Sequence, residues 1–180
     1  MVPCCVFHQY LHADDFYVSK NGNDAGGTGS RSGPWRTITH ALSVITGTSG
    51  NPQVIHISQG IYSPDSTGEI YPLVMKSYIS LEGVGDSLCI LEPGAQFRSR
   101  GITCNGCSHL HITGITIRYG SAPASDSVNA GGGMYITNSS FIQISNDNVA
   151  DNGAYNLSRF NVNEGGGIYI SNSSLIDVSN

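Results

Sequence analysis

The chain has 180 residues, which suits one domain or part of a larger one, and only 12% of them are charged. Its net charge of -5 offers no basic surface for nucleic acids or anionic membranes. No apolar run approaches the ~20 residues of a membrane-spanning helix. Abundant glycine, serine, threonine and asparagine favour a β-rich chain with many tight turns.

Residues 1–13 resemble a damaged export signal. The opening MVPCCVFHQYLHADD has no basic start, and His8, Gln9 and His12 interrupt its apolar stretch. We interpret residues 1–13 as a leader or the remnant of one, which predicts an extracellular or cell-surface location. The five cysteines leave one over after any pairing, so the chain is not a disulfide framework.

Residues 14–51 are predicted to form a short strand from Phe16 to Ser19, a glycine loop and one helix. The loop NGNDAGGTG lacks the terminal glutamate of a calcium loop and the Lys-Ser/Thr ending of a phosphate loop, so we interpret it as a structural turn. In PWRTITHALSVITG, apolar residues recur at helical spacing, with Pro34 at the entry and Gly47 at the exit. The apolar residues are Ile38, Ala41, Leu42 and Ile45.

From residue 52 the pattern changes to short strands separated by turns. QVIHI, YISLEGV and LHITGITI each alternate apolar and polar residues. The alternation predicts that Ile55, Leu81 and Ile112 point inward, whereas His56 points outward.

Two stretches near the end match residue for residue. GGGMYITNSSFIQISN (131–146) is followed by GGGIYISNSSLIDVSN (165–180), which gives a repeat of 34 residues. Ankyrin and tetratricopeptide repeats need two helices, and leucine-rich repeats and propeller blades need other strand patterns. A parallel β-helix remains, in which each strand stacks on its equivalent in the coil before, ~4.8 Å away.

The second copy breaks off at Asn180, partway round a coil. Its last strands would present an open edge, which natural solenoids cover with a capping element. We therefore expect an N-terminal fragment, truncated at the C-terminus, whose edge permits edge-to-edge self-association.

The stretches FYVSKNGNDAGGTGSRSGPWRTITHAL and IHISQGIYSPDSTGEIYPLVMKSYISLEGVG resemble the N-terminal region of right-handed parallel β-helix proteins of the pectin lyase-like superfamily. The GGGIYISNSS units resemble their later coils, and also repeats of bacterial surface adhesins and polymorphic outer-membrane proteins. The resemblance implies an all-β, right-handed, single-stranded parallel β-helix, or solenoid. Its N-terminal capping α-helix would lie within residues 14–51 and its coils within 52–180. No cofactor is predicted from the residues themselves, and calcium is implied by this resemblance alone.

The cluster CNGCSHLH combines Cys104 and Cys107 at metal-ligand spacing with His109 and His111 on one strand. Zinc needs about four ligands, and no second pair accompanies this one, so no metal site is predicted. The alternative is a turn flanked by small thiols, with the histidines on an outward face. If the protein is exported, a disulfide involving Cys89, Cys104 or Cys107 stays open.

Tyr135 and Tyr169 occupy equivalent positions of the two repeats and should point outward and stack. Aromatic rings on a flat sheet are good platforms for sugars, so we predict that both bind a ligand. The alternative is a cross-strand pair that only stabilises the sheet.

The loops 119–130 and 152–164 should rise side by side from one corner of adjacent coils and form a wall. Loops on a rigid scaffold often carry binding residues. The candidates are Asp126, Tyr155, Arg159, Phe160 and Glu164. The alternative is variable surface decoration.

No catalytic motif of the superfamily is visible. Arg98, Arg100 and Arg118 have no acidic cluster placed beside them and are interpreted as solvated, and no acidic pair is expected on one sheet face. The leading hypothesis is a polysaccharide-recognising or adhesin-like protein whose partner is a polysaccharide or cell-surface glycan. The alternatives are a polysaccharide lyase or glycoside hydrolase with its catalytic coils beyond residue 180, and a solenoid without a ligand.

Overall fold

The computed structural model describes residues 13–94, 98–123, 129–154 and 166–179. These residues form an all-β parallel β-solenoid with one short helix, which confirms the predicted fold class. The right-handed sense of winding remains a prediction, as does the leader, since residues 1–12 lie outside the described residues. No described helix is long and apolar enough to cross a membrane.

The elements follow one another in a regular order. They are β1 (Asp14–Val18), α1 (Ile38–Val44), β2 (Gln53–Ile57), β3 (Gly60–Tyr62), β4 (Leu73–Val74), β5 (Ile79–Gly83), β6 (Cys89–Leu91), β7 (Ile102–Asn105), β8 (Ser108–Thr113), β9 (Thr116–Arg118), β10 (Met134–Thr137), β11 (Ser140–Ser145), β12 (Asn148–Ala150), β13 (Ile168–Ser171) and β14 (Ser174–Ser179).

The strands form three parallel sheets. Sheet A has the order β1-β2-β5-β8-β11-β14, sheet B the order β4-β7-β10-β13, and sheet C the order β3-β6-β9-β12. A coil runs from sheet A to sheet C and sheet B and returns to sheet A, as β8, β9, β10 and β11 show. Each strand therefore pairs with the equivalent strand of the next coil.

Inward side chains form columns that make up the core. Leu81, Ile112, Ile144 and Val178 are successive register partners in sheet A, so the coils advance by 31, 32 and 34 residues. The last step is the predicted repeat. Leu81 and Ile112 are completely buried, and each such side chain contributes about 1.5–3 kcal/mol of hydrophobic stabilisation.

Helix α1 packs against β1, β2 and β4, where the sequence predicted a capping helix. Thr37 is the N-cap and accepts a hydrogen bond from the His40 N–H at 3.0 Å. The buried carboxylate of Glu69 accepts from the Ile38 N–H at 2.6 Å and the Thr39 N–H at 3.0 Å. Burial raises the pKa of Glu69 despite these hydrogen bonds. The helix ends before the predicted Gly47, because the backbone of Ile45 is already extended.

The glycine loop is a structural turn, as the sequence indicated. Asp24 accepts hydrogen bonds from the Arg36 N–H at 2.7 Å and the Thr37 N–H at 3.1 Å. The Trp35 indole N–H donates to the Gly27 carbonyl at 3.1 Å. The loop therefore fixes the entry to α1.

The corner between sheets B and A needs left-handed backbone. Asn138 and Asn172 have φ values of 51° and 47°, and Gly106, at the equivalent position one coil earlier, has φ 70°. Asparagine tolerates this conformation better than most residues. The Asn138 side chain donates to the Asn105 side-chain oxygen at 3.0 Å. Turn geometry thus accounts for the repeated asparagines.

The triple-glycine motif allows the backbones of neighbouring coils to come into direct contact. A Cβ atom on Gly132 would lie 2.2 Å from the carbonyl oxygen of Gly153, and one on Gly120 would lie 2.2 Å from that of Gly132. Only a residue without a side chain fits here without moving a neighbouring coil.

We predict that Gly132→Ala lowers the free energy of unfolding by about 1–3 kcal/mol, because the added methyl group must displace backbone. Gly50→Ala is the matched control, since a Cβ atom there meets nothing within 4 Å. Denaturant unfolding of both variants measures the difference. Equal stabilities would contradict the backbone contact.

Candidate functional site

The two repeat tyrosines stack on the outer face of sheet B. Tyr135 of β10 is the register partner of Tyr169 of β13. Their ring centroids lie 5.3 Å apart and the planes differ by 11°. The stacked column is confirmed, whereas its ligand-binding role stays a prediction.

Arg100 extends the column on its other side. Its guanidinium carbon lies 4.2 Å from the Tyr135 ring centroid, and its Nε donates to the Ala130 carbonyl at 2.9 Å. Only 7% of Arg100 is exposed, so its interpretation as a solvated residue was wrong. No local pattern reveals this contact, because Arg100 and Tyr135 belong to different coils.

This arrangement determines which parts of the rings can meet a ligand. Arg100 comes from the coil before Tyr135 and Tyr169 from the coil after it, so both faces of Tyr135 are covered. The rings present their edges away from the sheet. A ligand would therefore contact ring edges and hydroxyl groups rather than the face of Tyr135.

The predicted loop wall begins beside this column. Ser121 bridges to Gly153, and the Ala122 N–H donates to the Gly153 carbonyl at 3.0 Å. The two loops thus leave adjacent coils at one corner. The candidate residues within the loops lie outside the described residues; they are Asp126, Tyr155, Arg159, Phe160 and Glu164.

A second polar surface, which the sequence analysis missed, lies on the outer face of sheet A. His56 Nε2 lies 2.8 Å from Asp15 Oδ1, and His56 Nδ1 lies 3.2 Å from Glu82 Oε2. His111 Nε2 lies 2.7 Å from Glu82 Oε1. We call Asp15, His56, Glu82 and His111 the acid–imidazole ladder. A neutral imidazole has one N–H, so only a doubly protonated His56 donates to both carboxylates.

The ladder corrects the expectation that no acidic pair lies on one sheet face. Asp15 and Glu82 do share a face, but the His56 ring stands between them. Glycoside hydrolysis needs the space between two carboxyl groups for the sugar bond. With an imidazole in that space, the ladder suits cross-coil ion pairing rather than hydrolysis.

The two histidines of the CNGCSHLH cluster lie in different surroundings. His111 belongs to the ladder, whereas the His109 ring stacks on Tyr78 at 5.0 Å and on Phe141 at 4.6 Å. His109 Nδ1 is buried and makes no hydrogen bond within the described residues. The cluster does not converge on a metal, and no group of three or more His, Cys, Asp or Glu residues among those described could hold one.

Arg118 is also paired rather than solvated. Its Nε and Nη2 atoms both lie 2.6 Å from Glu92 Oε1, at the end of two adjacent strands of sheet C. Its guanidinium carbon lies 5.3 Å from the Tyr119 ring centroid. Its partner is the single carboxylate of Glu92 rather than an acidic cluster, and the interpretation of Arg118 as solvated was wrong.

One carboxyl group lies partly buried near the core. Asp147 Oδ1 accepts a hydrogen bond from the Ile115 N–H at 2.7 Å, while Oδ2 is buried without a partner in the described part of the chain. Burial raises the pKa of Asp147 to about 6. Asp147 lines a concavity with Ile144, Ile168 and Val178, of which Ile144 is buried and Val178 is exposed.

The model of a family described as a protein of unknown function (DUF1565) matches residues 20–179. The chain belongs to the DUF1565 family. No curated protein matches its sequence.

Among solved structures, this DUF1565 chain is similar to a pectin methylesterase variant in complex with a hexasaccharide. The TM-score is 0.52 with 16% identity, and the match covers 88% of this chain and 48% of the esterase. A rhamnogalacturonan lyase matches with a TM-score of 0.47 and 17% identity, over 76% of this chain and 37% of the lyase. The chain thus spans about half the length of the esterase, and the likeness to it shows the fold.

We predict that Glu82→Gln lowers the free energy of unfolding by about 0.5–1 kcal/mol at low salt, because it removes the charge between two imidazoles. The loss should shrink in 1 M NaCl, which screens partly exposed charges. Asp177→Asn is the control, since Asp177 lies on the same face with no ion pair among the described residues. Equal losses for both variants would contradict a stabilising ladder.

A further prediction concerns pH. Between about pH 4 and pH 6 the folded chain keeps a proton on Asp147 that the unfolded chain has lost, so this group makes stability fall as the pH rises through that window. Asp147→Asn should remove the part of this dependence that Asp147 causes, leaving that of Glu69, and should raise the free energy of unfolding at neutral pH by about 1 kcal/mol. Unfolding curves at several pH values test this. If the variant keeps the wild-type slope of unfolding free energy against pH, a group other than Asp147 causes the dependence.

Proposed function

We propose that the chain recognises a polysaccharide through the outer face of sheet B. The observation that carries the proposal is the stack of Arg100, Tyr135 and Tyr169, built on a rigid sheet at the base of two loops. Tyrosine combines an apolar ring with a polar hydroxyl, which matches the mixed surface of a sugar.

Preorganisation favours binding at this surface. Tyr135 and Tyr169 are held by paired strands, and Arg100 is held by the Ala130 carbonyl. Few side-chain rotamers are left to be lost when a ligand binds, which reduces the entropic cost. A sugar chain lying along the solenoid axis would meet equivalent positions of successive coils.

The comparisons support the class of ligand. The pectin methylesterase of similar fold was solved in complex with a hexasaccharide. A solenoid of this kind can therefore present an extended saccharide-binding surface. The proposed partner is a polysaccharide or cell-surface glycan, met by an exported or surface-bound protein, and no cofactor is proposed for it.

The rival function is that of a polysaccharide lyase or glycoside hydrolase. The ladder places Asp15 and Glu82 on one sheet face, as an enzyme of this type would require. However, both carboxylates contact His56, whose ring lies between them. This geometry favours binding over hydrolysis within the described coils.

We predict that Tyr169→Phe weakens binding about fivefold, because it removes one hydroxyl hydrogen bond of about 1 kcal/mol and keeps the ring stack. Tyr169→Ala should weaken binding further. Affinity electrophoresis and calorimetry with neutral and uronic-acid polysaccharides measure the effect. Tyr17→Phe, a tyrosine on sheet A, is the matched control and should leave affinity unchanged.

The outcomes separate the hypotheses. Absence of binding to every polysaccharide, or full affinity in Tyr169→Ala, would overturn the proposed site. Release of reducing or unsaturated ends would favour an enzyme. Loss of thermal stability in Tyr169→Ala without loss of affinity per folded molecule would assign the stack to packing.

A further inference from the structure

The CNGC motif has no part in the proposed function. It crosses the corner between sheets B and A, with Cys104 inside β7 and Cys107 just before β8. Both side chains point into the core, where Cys104 is 0% and Cys107 is 4% exposed. Asn105 and Gly106 form the turn between them, with the left-handed backbone of Gly106 reversing the chain.

The two thiols lie at the same corner of the core. Cys107 Sγ lies 3.1 Å from the Met75 carbonyl oxygen, to which it donates, and Met75 lies opposite Cys104, because Val74 is the register partner of Thr103. A disulfide requires that both Cβ atoms face one another across a short distance. Two inward side chains on either side of a two-residue turn favour such an approach.

The equivalent corners of the next two coils show which residues are enough for this corner to fold. Ser139 and Ser173 stand at the position of Cys107, and each accepts an N–H from the coil before, from Cys107 and Ser139 respectively, at 3.1 Å. Each serine hydroxyl also donates to a carbonyl of its own turn at 2.8 Å. Ile136 is the register partner of Cys104. A serine and an apolar residue are therefore sufficient for this corner to fold. Two cysteines at these positions add the capacity for thiol oxidation, which folding of the corner does not require.

We propose that Cys104 and Cys107 form an intrachain disulfide when the chain folds in an oxidising environment, while Cys89 remains a thiol. With glutathione disulfide as the oxidant, the Cys107 thiolate attacks one sulfur and releases one glutathione. Cys104 then attacks Cys107 and releases the second. The two thiol protons end on the two glutathione molecules, and the protein has lost two electrons.

The surroundings of the three buried thiols fit these roles. Its interaction with Cys104 lowers the pKa of Cys107, which favours Cys107 as the attacking thiolate. Burial raises the pKa of Cys89 to about 12, and Cys89 lies in β6 of a different sheet. Formation of the disulfide would remove the hydrogen bond from Cys107 to the Met75 carbonyl and cross-link the two sides of the corner covalently.

Trypsin separates the cysteines cleanly. Cleavage after Arg100 and Arg118 leaves Cys104 and Cys107 in one peptide, residues 101–118. Cys89 falls in residues 77–98, and both remaining cysteines fall in residues 1–20. The full chain is refolded from guanidinium chloride in a glutathione redox buffer, quenched with acid, alkylated, digested and weighed by mass spectrometry.

We expect peptide 101–118 to carry no alkyl group and to be lighter than its reduced form by two hydrogen atoms, while peptide 77–98 is alkylated. In the same buffer with denaturant, the ratio of disulfide to dithiol in peptide 101–118 should be at least about tenfold lower, because the fold holds the sulfurs together. Two alkyl groups on peptide 101–118, a cross-link to another peptide, or an unchanged ratio in denaturant would each overturn the proposal.

Matched variants guard against a folding artefact. Cys107→Ser introduces the residue found at positions 139 and 173, so it should fold and carry one alkyl group, on Cys104. Cys89→Ser should keep the disulfide in peptide 101–118. Loss of that disulfide in folded Cys89→Ser would show that Cys89 is a pairing partner and would overturn the assignment.

Discussion

In-register hydrogen bonding between parallel strands is the constraint on which the rest of the structure depends. Every strand pairs with the equivalent strand of the next coil, so each side chain meets its counterpart ~4.8 Å away. An isoleucine that points inward therefore stacks on another inward residue, as Ile112 does on Ile144. Because the same rule applies on the outer faces, the register decides the chemistry of the surface as well as that of the core.

The register also sets strict steric conditions at the corners. Where coils meet backbone to backbone, as at Gly120 and Gly132, even a methyl group has no room. Where the chain turns between sheets B and A, the backbone is left-handed and asparagine or glycine occupies the turn. The glycine-rich and asparagine-rich composition is thus a consequence of packing coil upon coil, and it needs no ligand to explain it.

The two outward surfaces show how one architecture supports different chemistry. On sheet B, directly facing register partners place Tyr135 against Tyr169, and a buried arginine completes the stack. On sheet A, the His56 imidazole lies between the carboxylates of its register partner Glu82 and its diagonal neighbour Asp15. The first surface is rigid and amphipathic, which suits recognition of a sugar chain. The second satisfies its own charges, which suits stabilisation of the early coils.

The sequence by itself determined the solenoid, its 34-residue repeat, the capping helix and the tyrosine column, because these depend on spacing along the chain and on identical residues at a fixed period. Only the tertiary structure decided the positions of Arg100, Arg118 and the acid–imidazole ladder. Coils of 31, 32 and 34 residues differ in length, so the partner of a residue in another coil cannot be counted from the sequence. Diagonal contacts add a further offset, as between His111 and Glu82. Long-range pairing of polar side chains is fixed by register and side-chain reach, and both of these exist only once the coils have stacked.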